Sequence, residues 1–247
     1  MKLALEDQVW KRLYGPYGNR SVNTLLTQLS TRWDTALAKE LFWEELHHQD
    51  DIYPVTFAAL PWLSDISPPD GEGFEETQLF LSHVIRCANL SDGTGYDGSG
   101  PRRKYRGLSN RISDHHLSWI PEDEWLRDED QPVLLGLEDW FSENCASLAE
   151  MCLVLVSTDL SVAAYALEGF ATLKGSERVA FSVQMLADGE DMQFIHKELG
   201  DYDTNDSHVV GLLYPLIQQR SPQIASFVLN YPGCTHVPEH SRQNRPF

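Results

Sequence analysis

Apolar residues recur along this chain almost everywhere at helical spacing. Trp33, Leu37 and Leu41 fall on one stripe at i, i+4 and i+8, with Ala38, Phe42 and Leu46 beside it. Pro68-Pro69-Asp70-Gly71 breaks the pattern, which resumes from Phe74 to Leu90 through Leu79, Val84 and Ile85. Ser157, Thr158 and Asp159 offer capping side chains to a helix that buries Leu160, Ala163, Ala164, Leu167 and Ala171. Gly175 ends that helix, and Ser176 stands where it would cap the next, which carries Val179, Val183 and Leu186 up to Asp188-Gly189. Another helix begins near Ser207, with Val209, Val210, Leu213 and Ile217 inward. One segment is ambiguous. Cys152 to Val156 is short and β-branched enough for a buried strand, which would make the fold α+β. The preceding Ala146 to Met151 is helical, so the expectation is a single helix through 156.

Between Ser91 and Trp119 the periodicity fails. SDGTGYDGSGPRRKYRGLSNRISDHH holds five glycines and most of the local basic charge, as a long irregular loop near residues 91–120. An acidic stretch follows, in which Glu122, Asp123, Glu124, Asp128, Glu129 and Asp130 flank Trp125.

The most distinctive phrase is LFWEELHHQDDIYPVTFAALPWLSD, Leu41 to Asp65. It reads as a helix, a polar break at Gln49-Asp50-Asp51 and a second helix with Pro54 in its first turn, where a missing N–H costs nothing. A tryptophan-rich helix, an L-x-H-Q ending and an A-x-P-x-L helix together resemble bacterial HEAT-like (armadillo-type) repeat proteins. AAYALEGFATLKG, residues 163–175, is similar to the small-residue helix of such a repeat. The resemblance covers about half the chain. It implies an all-α fold, an α-solenoid of stacked antiparallel hairpins, because one hairpin cannot bury its own apolar face. The hairpins are expected at 33–65 and 159–187, with weaker ones near 132–156 and 207–230. The resemblance also implies one repeat domain over 1–247, with an insertion at about 91–131 and a tail at about 232–247. Such proteins bind rather than catalyse.

Charge narrows the partner. The chain has 19 basic and 37 acidic residues, a net charge of −18. Phosphate backbones are bound by Lys and Arg releasing counterions, so nucleic acid is not the expected ligand. A basic protein would be steered towards such a surface. No window approaches the ~20 apolar residues needed to span a bilayer. Met1 to Leu5 is followed at once by Glu6, Asp7 and Gln8, unlike a signal peptide. Cys87, Cys145, Cys152 and Cys234 have no CxxC or CxxH spacing, which suits reduced thiols in the cytoplasm.

Candidate chemistry is thin. Gly93, Gly95 and Gly98 satisfy GxGxxG, but a helix precedes them and Gly100-Pro101-Arg102 follows, against the strand–turn–helix a dinucleotide needs. Asp92 and Asp97 lack the alternating acids and final Glu of a calcium loop. His47-His48 and His115-His116 are adjacent pairs, which diverge on a helix and cannot chelate one ion as an i, i+4 pair can. Joining His47 or His48 to Asp51 is the remaining metal arrangement, and His48 is better read as a helix C-terminal cap. Cys234-Thr235-His236 is a lone pair in a surface loop. Glu44-Glu45 and Glu75-Glu76 are coincidences that so acidic a chain makes inevitable. No catalytic, cofactor-binding or metal residue is therefore assigned, and no enzyme activity is expected. Trp33, Trp43 and Trp62 are expected in the core or the seam between hairpins. Trp119 and Trp125 lie among acids instead, where a tryptophan can anchor a basic, partly apolar partner. The expected binding residues are Trp119, Glu122, Asp123, Glu124, Trp125, Asp128, Glu129 and Asp130. The expected function is a cytoplasmic protein-binding module, most concretely an immunity protein that neutralises a basic bacterial toxin domain. A scaffold or adaptor is the alternative. A helical-repeat DNA glycosylase or lyase would need a basic groove containing Arg102, Arg103, Lys104, Arg106 and Arg111.

Overall fold

The computed structural model of the chain describes residues 1–18, 20–48, 51–89, 108, 122, 125–157, 159–200 and 204–230. These residues are mostly helical, and their only strands are two residues long. The chain divides into two compact units. One comprises Met1–Phe80 and Cys87–Cys145, and the other Leu81–Arg86 and Ala146–Phe247.

The first unit is built around α3 (Pro54–Ile66), whose residues from Val55 to Leu60 are all buried. A helix apolar on every side belongs inside a core. Its main helical neighbour is α1 (Val22–Thr31), and Phe57 meets Phe141 of α5 (Gln131–Cys152) edge-on at 5.2 Å. The expected hairpin at 33–65 is therefore not a plain pair of helices. The short α2 (Thr35–Glu40) widens into a π-helical turn, Leu41–Glu45, in which the Leu46 N–H reaches the Leu41 carbonyl at 3.0 Å. The polar break is then a small antiparallel ladder of β1 (His47–His48) and β2 (Asp51–Ile52), with His47 opposite Ile52 and His48 opposite Asp51. Fully buried Thr56 ties the ladder to α3. Its hydroxyl donates to the Leu46 carbonyl at 2.5 Å and accepts the Tyr53 N–H at 3.0 Å.

Pro54 does open α3, as its spacing predicts. The helix C-cap before the ladder is Leu46 rather than His48. His48 is an exposed strand residue whose ring stands edge-on to Tyr17 at 5.8 Å. Trp33, Trp43 and Trp62 are half-buried, and among the described residues the deeply buried tryptophan is Trp10. Trp62 lies under the Lys2 ammonium and donates from Nε1 to the Leu3 carbonyl at 2.8 Å.

In the second unit α6 (Leu160–Leu173) and α7 (Glu177–Ala187) form the expected hairpin, the most extensive helix contact among the described elements. Asp159 caps α6 by accepting from the Ser161 and Val162 amides at 3.0 and 3.1 Å. Gly175, at φ +72°, turns the chain where a Cβ would be strained. Ser176 takes the N-cap position of α7, but its hydroxyl makes no capping bond. Its backbone (φ −135°, ψ 43°) is not the extended form a capping side chain needs.

The expected helix through 156 is corrected. α5 ends at Cys152, the 3-10 turn Leu153–Leu155 follows, and Val156 is extended. Arg220 caps this end by donating to the Leu153 carbonyl at 3.2 Å and to that of Val154. Val209, Val210, Leu213 and Ile217 face inward from α9 (Thr204–Arg220), as expected. The short α8 (Met192–Leu199), capped by Asp191, and α10 (Pro222–Asn230) complete the unit.

Candidate functional site

The acidic stretch ends in a 3-10 turn, Asp128–Asp130, which runs directly into α5. Its three acids have different fates. Asp130 is buried, and Arg12 grips its carboxylate in a fork, Nε to Oδ2 at 2.8 Å and Nη2 to Oδ1 at 2.5 Å. The Arg127 amide adds a third bond at 2.9 Å. Burial alone would raise the Asp130 carboxyl. The Arg12 fork, the Arg127 amide and the two guanidinium charges outweigh it and hold the group below its usual range. The same fork raises Arg12. Asp130 thus fastens the turn to the N-terminal segment within the first unit and is not a group that faces a partner. Asp128 and Glu129 are exposed. Glu129 has Arg12 at 3.6 Å and Arg127 at 3.7 Å, and Asp128 is in no ion pair among the described residues.

Glu122 is also exposed, Trp125 is half-buried, and Leu126 beside it is buried. Trp119, Asp123 and Glu124 lie outside the described residues, as do most of the loop 91–120 and the tail 232–247. So do Asp92, Gly93, Gly95, Asp97, Gly98, Arg102, Arg103, Lys104, Arg106, Arg111, His115, His116, Cys234 and His236. Of the remaining expected binding residues, the structure places Asp128, Glu129 and Asp130 on one anchored turn.

A second constellation, in the second unit, escaped the sequence reading. His83 and Arg86, one turn apart on α4 (Gly71–Asn89), meet Glu168 of α6. His83 Nδ1 is 3.4 Å from Glu168 Oε1, and Arg86 Nε is 3.4 Å from Glu168 Oε2 and 3.9 Å from Glu177 Oε1. Tyr165 lies against the His83 ring and Phe181 under the Arg86 guanidinium, each about two-fifths exposed. Beside them α4 and α6 come very close. Gly169 donates its N–H to Ser82 Oγ at 3.0 Å, and a Cβ on Gly169 would fall 2.7 Å from the Ser82 carbonyl oxygen. The Ser82 hydroxyl also donates to the Ala166 carbonyl at 3.3 Å, so it is a staple between helices rather than a nucleophile. A His beside a Glu suits proton transfer. Here the same carboxylate also pairs with Arg86, and the geometry is that of a polar staple through the helix layer. The readable signal was Glu168 standing inside the apolar run of α6.

Cys87, Cys145 and Cys152 are buried and outside any disulfide, and burial pushes the Cys152 thiol up to about 12, far from a reactive thiolate. No described helix is long and apolar enough to cross a membrane. No protein-family model, curated protein or solved structure matches the chain.

Proposed function

We propose that this chain is a HEAT-like stack of helical hairpins that binds a protein, most concretely a cytoplasmic immunity protein that neutralises a basic bacterial toxin domain. The observation that carries the reading is the anchored acidic turn. Asp130 spends its charge on Arg12 inside the unit, which leaves Asp128 and Glu129 presented outward from a fixed backbone. A fixed surface loses little entropy on association, and a net charge of −18 steers a basic partner towards it. Trp119, Glu122, Asp123, Glu124 and Trp125, immediately upstream in sequence, belong to the same proposed binding set, with the tryptophans as anchors.

The test is affinity capture with the tagged full chain from its native cell. The reading expects one strongly basic domain, whose toxicity on expression is suppressed by co-expressing this chain. Recovery of several unrelated partners, none of them toxic, would replace it with the adaptor reading.

A further inference from the structure

The second unit carries an open groove of about 450 Å³, within the ~300–1,000 Å³ typical of ligand pockets. Its apolar wall is formed by Val154 after α5 and by Leu212 and Leu216 on α9. These three are 48%, 47% and 38% exposed. Single exposed apolar side chains are ordinary, but here three converge on one concavity. Leu212 and Leu216 sit one helical turn apart, on the exposed flank of the buried stripe of Val209, Val210, Leu213 and Ile217. The apolar stripe of this helix is therefore wider than the part its own unit covers.

The rim decides what kind of partner fits. Lys174 and Arg220 line it, with Glu150 as the one acid. The Lys174 ammonium lies 5.3 Å from the Phe170 ring centroid, and one guanidinium nitrogen of Arg220 is held by the Leu153 and Val154 carbonyls. Neither cation has a carboxylate partner among the described residues. By contrast Arg12, Lys39, Arg86 and Arg178 are all paired within the chain. In a protein of net charge −18 this is a locally basic, apolar groove. An occupant that brought carboxylates would give both cations a counter-charge, whereas a purely apolar one would leave them without one. The second unit has no strand among its described residues that could extend an incoming peptide into a sheet. The groove suits a helix laid against it.

We infer that this groove docks an acidic amphipathic helix of a second protein, with apolar side chains on Val154, Leu212 and Leu216 and carboxylates on Lys174 and Arg220. The site is separate from the acidic turn that carries the immunity reading, and either can fail without the other.

The experiment uses the full chain and two labelled synthetic helices with leucines at i, i+4 spacing. One carries flanking glutamates, and the other carries lysines in their place. Fluorescence anisotropy is expected to show binding of the glutamate helix, weakened about tenfold, or about 1.4 kcal/mol, by Leu216→Asp. Lys174→Glu should shift preference towards the lysine helix. Both changed side chains are exposed, and circular dichroism checks that each variant folds. Equal binding of the two helices, no binding of either, or indifference to both substitutions would overturn the proposal. So would a dimer of the full chain that Leu216→Asp dissociates, since the occupant would then be a second copy.

Discussion

Arg12 and Asp130, 118 residues apart in sequence, are joined by two N–H···O bonds that fasten the acidic turn to the N-terminal segment of the first unit. The pair is largely withdrawn from water, and removing one partner of a buried ion pair strands the other. Asp130→Asn is therefore expected to cost about 3 kcal/mol, measured by urea denaturation at neutral pH. A loss near zero would mean that the turn is held by other contacts.

Titration gives this pair a sign. The folded Asp130 carboxyl lies below its unfolded range, so its contribution is fully present above the unfolded value and is lost as pH falls through the folded one. Glu45 acts in the opposite direction. Burial raises it despite Arg20 at 3.4 Å, so it disfavours the folded state as pH rises through the carboxylate range. Glu45→Gln should raise the Tm at about pH 7 and change it little at about pH 3. The stability difference between Asp130→Asn and the parent should shrink over the same descent. Thermal melts across pH read both trends, and a Glu45→Gln gain confined to acid would reverse the assignment.

Gly169→Ala tests the close approach of α4 and α6. Alanine is the better helix former by about 1 kcal/mol. In this position, however, its methyl meets the Ser82 backbone at a distance no real Cβ tolerates. Overpacking should win, with a net destabilisation of about 1–3 kcal/mol. A more stable variant would show that the helices separate freely.

How far the sequence disclosed this fold depends on how local each determinant is. The α6–α7 hairpin was legible because Asp159, the alanine stripe and Gly175 all act within a few residues of their own positions. The 33–65 segment is legible as helix, break and helix. The π turn at Leu41–Glu45 and the His47–Ile52 ladder were hidden, because they are settled by Thr56 and by what α3 packs against. Arg220 ends the α5 extension from 66 residues away, so no local reading of Cys152 to Val156 could find that stop. At the candidate site, Asp128, Glu129 and Asp130 were equivalent letters in sequence. Only the position of Arg12 separates the anchor from the two exposed acids. The exposed Leu212 and Leu216 were equally silent, since the flank of an apolar stripe looks in sequence like part of the core face.

The proposal that an acidic surface captures a basic partner is tested most directly by the association rate of the captured partner as ionic strength is varied. Glu122→Lys and Asp128→Lys are the informative variants, because both side chains are exposed and neither is in an ion pair among the described residues. The account predicts a rate that falls steeply with added salt, and a double variant slower by about tenfold at low salt. It predicts that the two rates converge at high salt. An association rate indifferent to both salt and charge reversal would contradict it.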